Sequence, residues 1–214
     1  MNDRAKAIAS DALRRQDKAL AIWNKAIPVT GTLAEAYLMK ERGLPLSLDI
    51  LAADAFRFHP GLYYDGTHVP GLVALMRDPV TSEPVGIQRT YLTANSKKIE
   101  RRMLGSAGVV MLSPSEVVTC GLGLAEGLET GLAVMTITGW RPVWAAMSAG
   151  AIRAFPVLAG VETLTIFADA DAAGHNAAIE CGRRLSREGI EVRVLAPPQS
   201  GCDWDAWLLR RRVA

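Results

Sequence analysis

The chain has 214 residues, half of them hydrophobic and 21% charged, which is enough apolar material for one large or two small packed cores. No apolar run approaches the ~20 residues that span a bilayer, and the opening Met1-Asn2-Asp3-Arg4-Ala5-Lys6 is of mixed charge rather than an apolar leader, so the expected location is cytoplasmic with no membrane partner. Cys120, Cys181 and Cys202 are odd in number and far apart, a pattern that suits neither a disulfide framework nor a zinc ribbon and predicts reduced thiols.

The net charge of +2 hides an asymmetry. Residues 1–115 hold 15 Lys+Arg against 11 Asp+Glu, and residues 116–214 hold 9 against 11. The first half opens on an amphipathic helix over residues 3–27, with Ala5, Ile8, Ala12, Ala19, Trp23 and Ile27 on one stripe. Pro28 and Gly31 end it. Thr32-Leu33-Ala34-Glu35 reads as a capping box that opens a short helix through Arg42, closed by Gly43 and Pro45. A helical turn near residue 49 and a strand around Phe56–Phe58 follow.

Leu72–Arg77 and Val85–Leu92 are β-rich and flank a turn with Asp78-Pro79 and Glu83-Pro84, which predicts a hairpin. Alternation on its second strand puts Gln88, Thr90 and Leu92 on one face and Ile87, Arg89 and Tyr91 on the other. An arginine and a tyrosine on one sheet face suit nucleic acid, and suit a plain sheet rim equally well. Arg89, Lys97, Lys98, Arg101 and Arg102 meet only Glu100 across residues 85–105. Such a run is commonly a solvated face; beside an acidic site it can hold a polyanion.

From about residue 109 the pattern alternates: strand 117–125, helix 128–138, strand 143–146, helix 149–155, strand 162–168, helix 173–188, strand 191–195. That predicts a parallel sheet with helices on its faces. Gly105–Gly108 marks a junction, giving an N-terminal basic α+β region over 1–108 and an α/β domain over 109–214.

Acidic residues punctuate this second domain. Glu126 lies in Leu124-Ala125-Glu126-Gly127-Leu128-Glu129-Thr130, and Asp169 and Asp171 in Phe167-Ala168-Asp169-Ala170-Asp171-Ala172-Ala173-Gly174. Each cluster follows a strand-like run and precedes a helix-like one, so both fall at carboxyl ends of strands, where open α/β sheets bind ligands. Carboxylates gathered there repel one another unless a hard cation neutralises them, and Mg²⁺ takes one or two carboxylates plus phosphate oxygens. Asp169 and Asp171 alternate and can reach one cation; equally, they can simply cap the next helix. A calcium loop is excluded, because Ala173 occupies a ligand position and a strand enters the segment. Glu129, one turn on, reads as the helix-capping acid. Asp203 and Asp205 join a metal or substrate site, or form a polar turn before Trp207-Leu208-Leu209 with Asp203 as cap. Arg210-Arg211-Arg212 reads as a solvated tail. His59, His68 and His175 are scattered and lack ligand-like partners. Trp204, beside the aspartates, is the tryptophan nearest the chemistry.

Glu126-Gly127, Asp169-Ala170-Asp171-Ala172-Ala173-Gly174 and Asp203-Trp204-Asp205, in this order and at these distances, resemble the Toprim domain of bacterial-type DNA primases, topoisomerases and certain nucleases. The resemblance covers residues 109–214; the last motif looks like the acidic element of phage- and plasmid-type primases. More loosely, Trp23 to Gly105 resembles the region beside Toprim in mobile-element proteins, with Gly86–Leu92 and the Lys/Arg cluster as a basic strand and loop facing template and nucleotide.

The resemblance implies Mg²⁺-dependent primer synthesis on single-stranded DNA from nucleoside triphosphates, with Mn²⁺ as a substitute metal. Glu126 would be the general acid/base or a metal-associated carboxylate, Asp169 and Asp171 would hold metal, and Asp203 and Asp205 would complete the patch. Arg89, Lys97, Lys98, Arg101 and Arg102 would neutralise template or nucleotide phosphates. A Toprim-type nuclease and a non-catalytic binding protein are the rival readings. A topoisomerase is disfavoured because Tyr37, Tyr63, Tyr64 and Tyr91 all precede the domain. The chain lacks the Cys/His ligand set of a primase zinc module and shows no helicase segment, which points to a separate zinc-binding or helicase partner.

Overall fold

The computed structural model describes residues 3–169, 171–197 and 203–213, with side chains described from residue 9 to residue 210 of these; Cys202 and the side chains of Arg211 and Arg212 lie outside the described residues. The N-terminal half is an antiparallel meander with a helix on one face. Helix α1 (Asp3–Lys25) precedes α2 (Leu33–Ala36), which runs into a π-helical turn over Tyr37–Glu41; α3 (Leu48–Ala52) leads to strands β1 (Phe56–Tyr64), β2 (Thr67–Arg77), β3 (Pro84–Leu92) and β4 (Lys98–Gly105), in spatial order β1-β2-β3-β4.

Helix α1 stops two residues short of the expected end, because Ile27 leaves it to form a β-bridge with Phe58. The expected capping box does not form. Thr32 turns its hydroxyl back to the Val29 carbonyl at 2.5 Å, while Glu35 accepts from the Gly31 amide at 2.8 Å. Strand β4 stands where the looser resemblance implies a basic loop facing template and nucleotide. Gly105 ends it at φ +93, where a Cβ would meet the Val85 carbonyl oxygen at 2.5 Å, so no side chain fits between the strands there.

The C-terminal half follows the expected alternation closely. It comprises β5 (Val110–Met111), a 3₁₀ turn at Ser115–Val117, β6 (Gly121–Ala125), α4 (Leu128–Thr138), β7 (Val143–Ala145), α5 (Ala149–Arg153), β8 (Thr163–Phe167), α6 (Ala172–Arg187), β9 (Glu191–Leu195) and α7 (Trp204–Val213). The sheet order is β5-β7-β6-β8-β9, with β6 parallel to both β7 and β8, β8 parallel to β9, and β5 antiparallel. After β6 the chain goes first to one side (β7), then to the other (β8). The switch point therefore lies between β6 and β8, and their carboxyl ends open a crevice. Segment 204–213 is a helix, where the sequence suggests a polar turn and tail.

Among the described residues, alternating side chains build three cores. Leu122, Leu124, Leu164 and Ile166 pack against α5 and α6, while Val73, Leu75, Ile87 and Tyr91 pack under α1 at Ala19 and Trp23. The largest core joins the halves. Leu72, Ala74, Met76 and Leu92 of the antiparallel sheet share it with Leu128, Leu132, Phe167 and Trp204. Covering both sheet faces has a consequence for the expected nucleic-acid face. Tyr91 is 1% exposed, and the face it shares with Arg89 lies beneath α1.

Candidate functional site

The carboxyl ends of β6 and β8 meet the antiparallel sheet across a cleft of about 100 Å³ lined by Arg42, Arg101, Glu126, Glu129, Asp169, Asp203 and Asp205, among others. Glu126 is the first residue beyond β6, and Gly127 is the N-cap of α4. Its Oε2 is buried without a hydrogen-bond partner among the described residues. Helix α6 confines it: a Cβ on Gly174 would stand 2.8 Å from that oxygen. Burial, then the charges of Asp171 and Asp203, raise the Glu126 carboxyl above the usual glutamate range.

Asp169 follows β8 and accepts from the Thr130 hydroxyl at 3.2 Å. Burial and the nearby Asp203 and Glu126 push its carboxyl up to about 7. Asp171 takes the capping role allowed for it in sequence: as N-cap of α6 it accepts from the Gly174 amide at 2.7 Å. Asp205, on the first turn of α7, is buried and paired with Arg42, and its carboxyl is raised chiefly by burial. Trp204 fixes this helix start, since its indole N–H donates to the Ala168 carbonyl at 3.2 Å and its ring packs edge-on against Phe167.

Glu129 is not merely a capping acid. It is 4% exposed, accepts from the Tyr37 hydroxyl at 2.7 Å and pairs with Arg101 at 3.4 Å. Burial and Glu129 together raise the Tyr37 hydroxyl well above its ordinary range, so it stays a donor. Arg42 and Thr130 line the cleft, and Tyr37 is buried behind it against Glu129; none of the three stands out in sequence as a site residue. Thr130 follows directly from the Glu-Gly motif; Tyr37 and Arg42 carry no local signal, because they act on residues 92 and 163 positions away.

The basic residues divide by strand register. Arg101 pairs with Thr90 and so shares its face, pointing at the cleft; a Cβ on Gly127 would lie 3.8 Å from its Nη1. Arg89 and Arg102 oppose each other on the α1 face. Arg102 is paired there with Glu100 at 2.7 Å and Asp65 at 2.9 Å, and Arg89 donates to the Met103 carbonyl at 3.3 Å while burial lowers its basicity. Lys97 and Lys98 are exposed at the start of β4. The structure thus brings Arg101 to Glu126, Asp169, Asp203 and Asp205, and keeps Arg89 and Arg102 away from them.

Among the described residues no three His, Cys, Asp or Glu side chains close on one point as a finished metal cage. The donor set still fits a hard cation. It is all oxygen, contains an unpartnered buried carboxylate oxygen, and holds acids whose mutual repulsion a cation would relieve.

Residues 121–212 match the model of the Toprim domain, and residues 13–110 match a domain of unknown function (DUF7146). No curated protein matches the chain. Among solved structures, it is similar to a DNA primase domain from Pseudomonas aeruginosa, at 15% identity and TM-score 0.59, covering 91% of this chain and 74% of that one. It is also similar to the Aquifex aeolicus primase comprising zinc-binding and RNA polymerase domains, at 16% identity and TM-score 0.62, over 93% of this chain and 57% of that one. The primase fragment of the bacteriophage T7 primase-helicase protein is a third, at 18% identity and TM-score 0.55, over 88% and 70%. At these identities the likeness is one of fold.

Proposed function

Since residues 121–212 of this chain are a Toprim domain, we propose that the protein is a primase-type nucleotidyltransferase, joining nucleoside triphosphates on a single-stranded DNA template. The observation that supports this best is the cleft itself. Carboxylates from the ends of β6 and β8 and the start of α7 face Arg101 from a second sheet. Acids alone would repel a polyphosphate; acids with a cation and an opposing arginine accept one. Primase catalytic cores share the two-sheet fold, which raises this reading above other uses of the domain.

Glu126 and Asp169 would hold Mg²⁺ or Mn²⁺, with Asp203 completing the patch. The bound metal would polarise a 3′-hydroxyl and neutralise a triphosphate. Where Glu126 is not itself on the metal, its buried, unpartnered Oε2 would exchange a proton with the substrate hydroxyl, provided substrate brings that hydroxyl within reach. Arg101 would hold phosphate oxygens at the cleft mouth, and Tyr37 and Glu129 would keep that arginine aimed. Asp171 would act through α6, whose N-terminus it caps beside Glu126, and Asp205 would set α7 through Arg42.

The test is primer synthesis on single-stranded DNA with labelled nucleotides and Mg²⁺ or Mn²⁺, beside Glu126→Gln. Short products that fall at least a hundredfold in the variant are expected, the scale on which acid–base groups act. Shortened template without triphosphates would reassign the cleft to phosphodiester hydrolysis, and products unaffected by the variant would remove Glu126 from the chemistry.

A further inference from the structure

The antiparallel sheet sorts its charge by face. Glu100 is the only carboxylate within β1–β4, and register puts it with Arg89 and Arg102 on the α1 side. There Arg102 lies over the rings of Tyr64 and Tyr91, at 4.8 and 5.8 Å, and is held by Glu100 and Asp65. The opposite face, which the parallel half covers only in part, carries no carboxylate. By register, Tyr63 stands beside His68, Lys98 beside Leu92 and Arg101 beside Thr90. Leu72 and Leu92 of this face are buried in the shared core, whereas Tyr63 and His68, toward the hairpin tip, are not.

Tyr63 is 64% exposed and belongs to none of the three cores. Its ring and the His68 imidazole form a T-shaped pair, with centroids 5.7 Å apart and planes at 71°, and most of the tyrosine side chain stays open to solvent. Its chain neighbours Leu62 and Tyr64 point to the α1 side. A lone aromatic without an apolar surround is a poor anchor for a protein partner, which needs a packed, desolvated centre. A flat ring on a cationic, carboxylate-free face suits the exposed bases of a single strand; in a duplex those base faces are hidden.

We propose that Tyr63 and His68 form a base-stacking platform for single-stranded DNA, whose phosphates pass over Lys98 and Arg101 into the acidic cleft. The platform rests on the reading that the cleft works on a single-stranded template. From β1 to β4 is three strand spacings, and the rows of Tyr63 and Arg101 are further offset along the strands, so platform and cleft mouth stand on the order of 20 Å apart. A short oligonucleotide spans that distance; one nucleotide does not.

The experiment is fluorescence anisotropy of labelled oligo(dT) with the full chain over a series of salt concentrations, comparing the parent with Tyr63→Ala, Tyr63→Phe and Lys98→Ala. The exposed position lets the variants fold, and matched thermal unfolding checks that they do. Expected is a loss of affinity of about tenfold in Tyr63→Ala at every salt concentration, the scale of one stacked base, with the salt slope unchanged. Tyr63→Phe should bind like the parent. Lys98→Ala should flatten the slope by roughly 0.7, the counterion release of one single-strand phosphate contact. Parent-like binding by Tyr63→Ala would overturn the platform and leave the cleft reading standing. Equal losses in Tyr63→Phe and Tyr63→Ala would replace stacking by a hydroxyl contact and also overturn it. No binding by the parent would remove both.

Discussion

Asp169 shows how much of this site is stored as unfavourable charge. Its carboxyl is pushed up to about 7 in the folded protein, first by burial and then by Asp203 and Glu126, whereas in an unfolded chain it titrates near ~3.9. Between those values the folded state binds the extra proton, so this group's contribution to stability falls as pH rises through the window and is lowest above pH 7. Asp169→Asn keeps an acceptor for Thr130 and removes the charge. It should raise the melting temperature at pH 8 by a few degrees, at about 2–4 °C per kcal/mol for a chain of this size, and the gain should vanish toward pH 4. Mg²⁺ should stabilise the parent at pH 8, by about 2.7 kcal/mol at a hundred times its dissociation constant, and the variant far less. Identical melting curves for the two proteins across pH 4–8, without metal, would show that Asp169 carries no such charge cost.

Element geometry decides which of these charges was visible beforehand. Strands β6 and β8 and helices α4 and α6 are readable because apolar runs such as Leu122–Ala125 and Thr163–Phe167 end at Gly, Glu and Asp, where chain direction must change. Glu126 and Asp169 could be placed at strand ends on that basis alone. Strand β4 was not readable as a strand: its alternation of Lys98, Arg101 and Met103 with Glu100 and Arg102 has a meaning only once β3 lies beside it. Helix α7 owes its start to the Trp204 bond with Ala168, and the burial of Glu129 to Tyr37. Both are long-range contacts with no local signature. Helix α6 offers a test at this scale. Gly174 lies in its first turn, where alanine is the better helix former by up to about 1 kcal/mol, but the added methyl would press on the Glu126 carboxylate. Gly174→Ala should therefore melt within a few degrees of the parent and lose about tenfold or more in primer synthesis, since a small misplacement of a reacting group is costly. Full activity with lowered stability would mean that α6 does not position Glu126.

At the scale of the whole molecule, the cleft exists only because two sheets of different kind share one core. Leu72, Ala74, Met76 and Leu92 are buried in one core with Leu128, Leu132, Phe167 and Trp204, so neither half has its apolar face covered without the other. The same junction carries the Tyr37–Glu129, Arg101–Glu129 and Arg42–Asp205 pairs. Buried carboxylates of this kind are costly once a partner is withdrawn. Separation would thus expose apolar surface and strand charge at the same time. The expected behaviour is a single cooperative transition by calorimetry, with calorimetric and van't Hoff enthalpies equal. Tyr37→Phe should lower stability by about 1–3 kcal/mol, the cost of leaving a buried acceptor unsatisfied, and should keep that one transition. A fragment ending at Gly108 should expose the sheet residues buried in the shared core, Leu72, Ala74, Met76 and Leu92, and should bind a hydrophobic dye or aggregate. Two resolved transitions, or a well-folded monomeric fragment, would show that each sheet is stable alone and that the cleft opens by separating them.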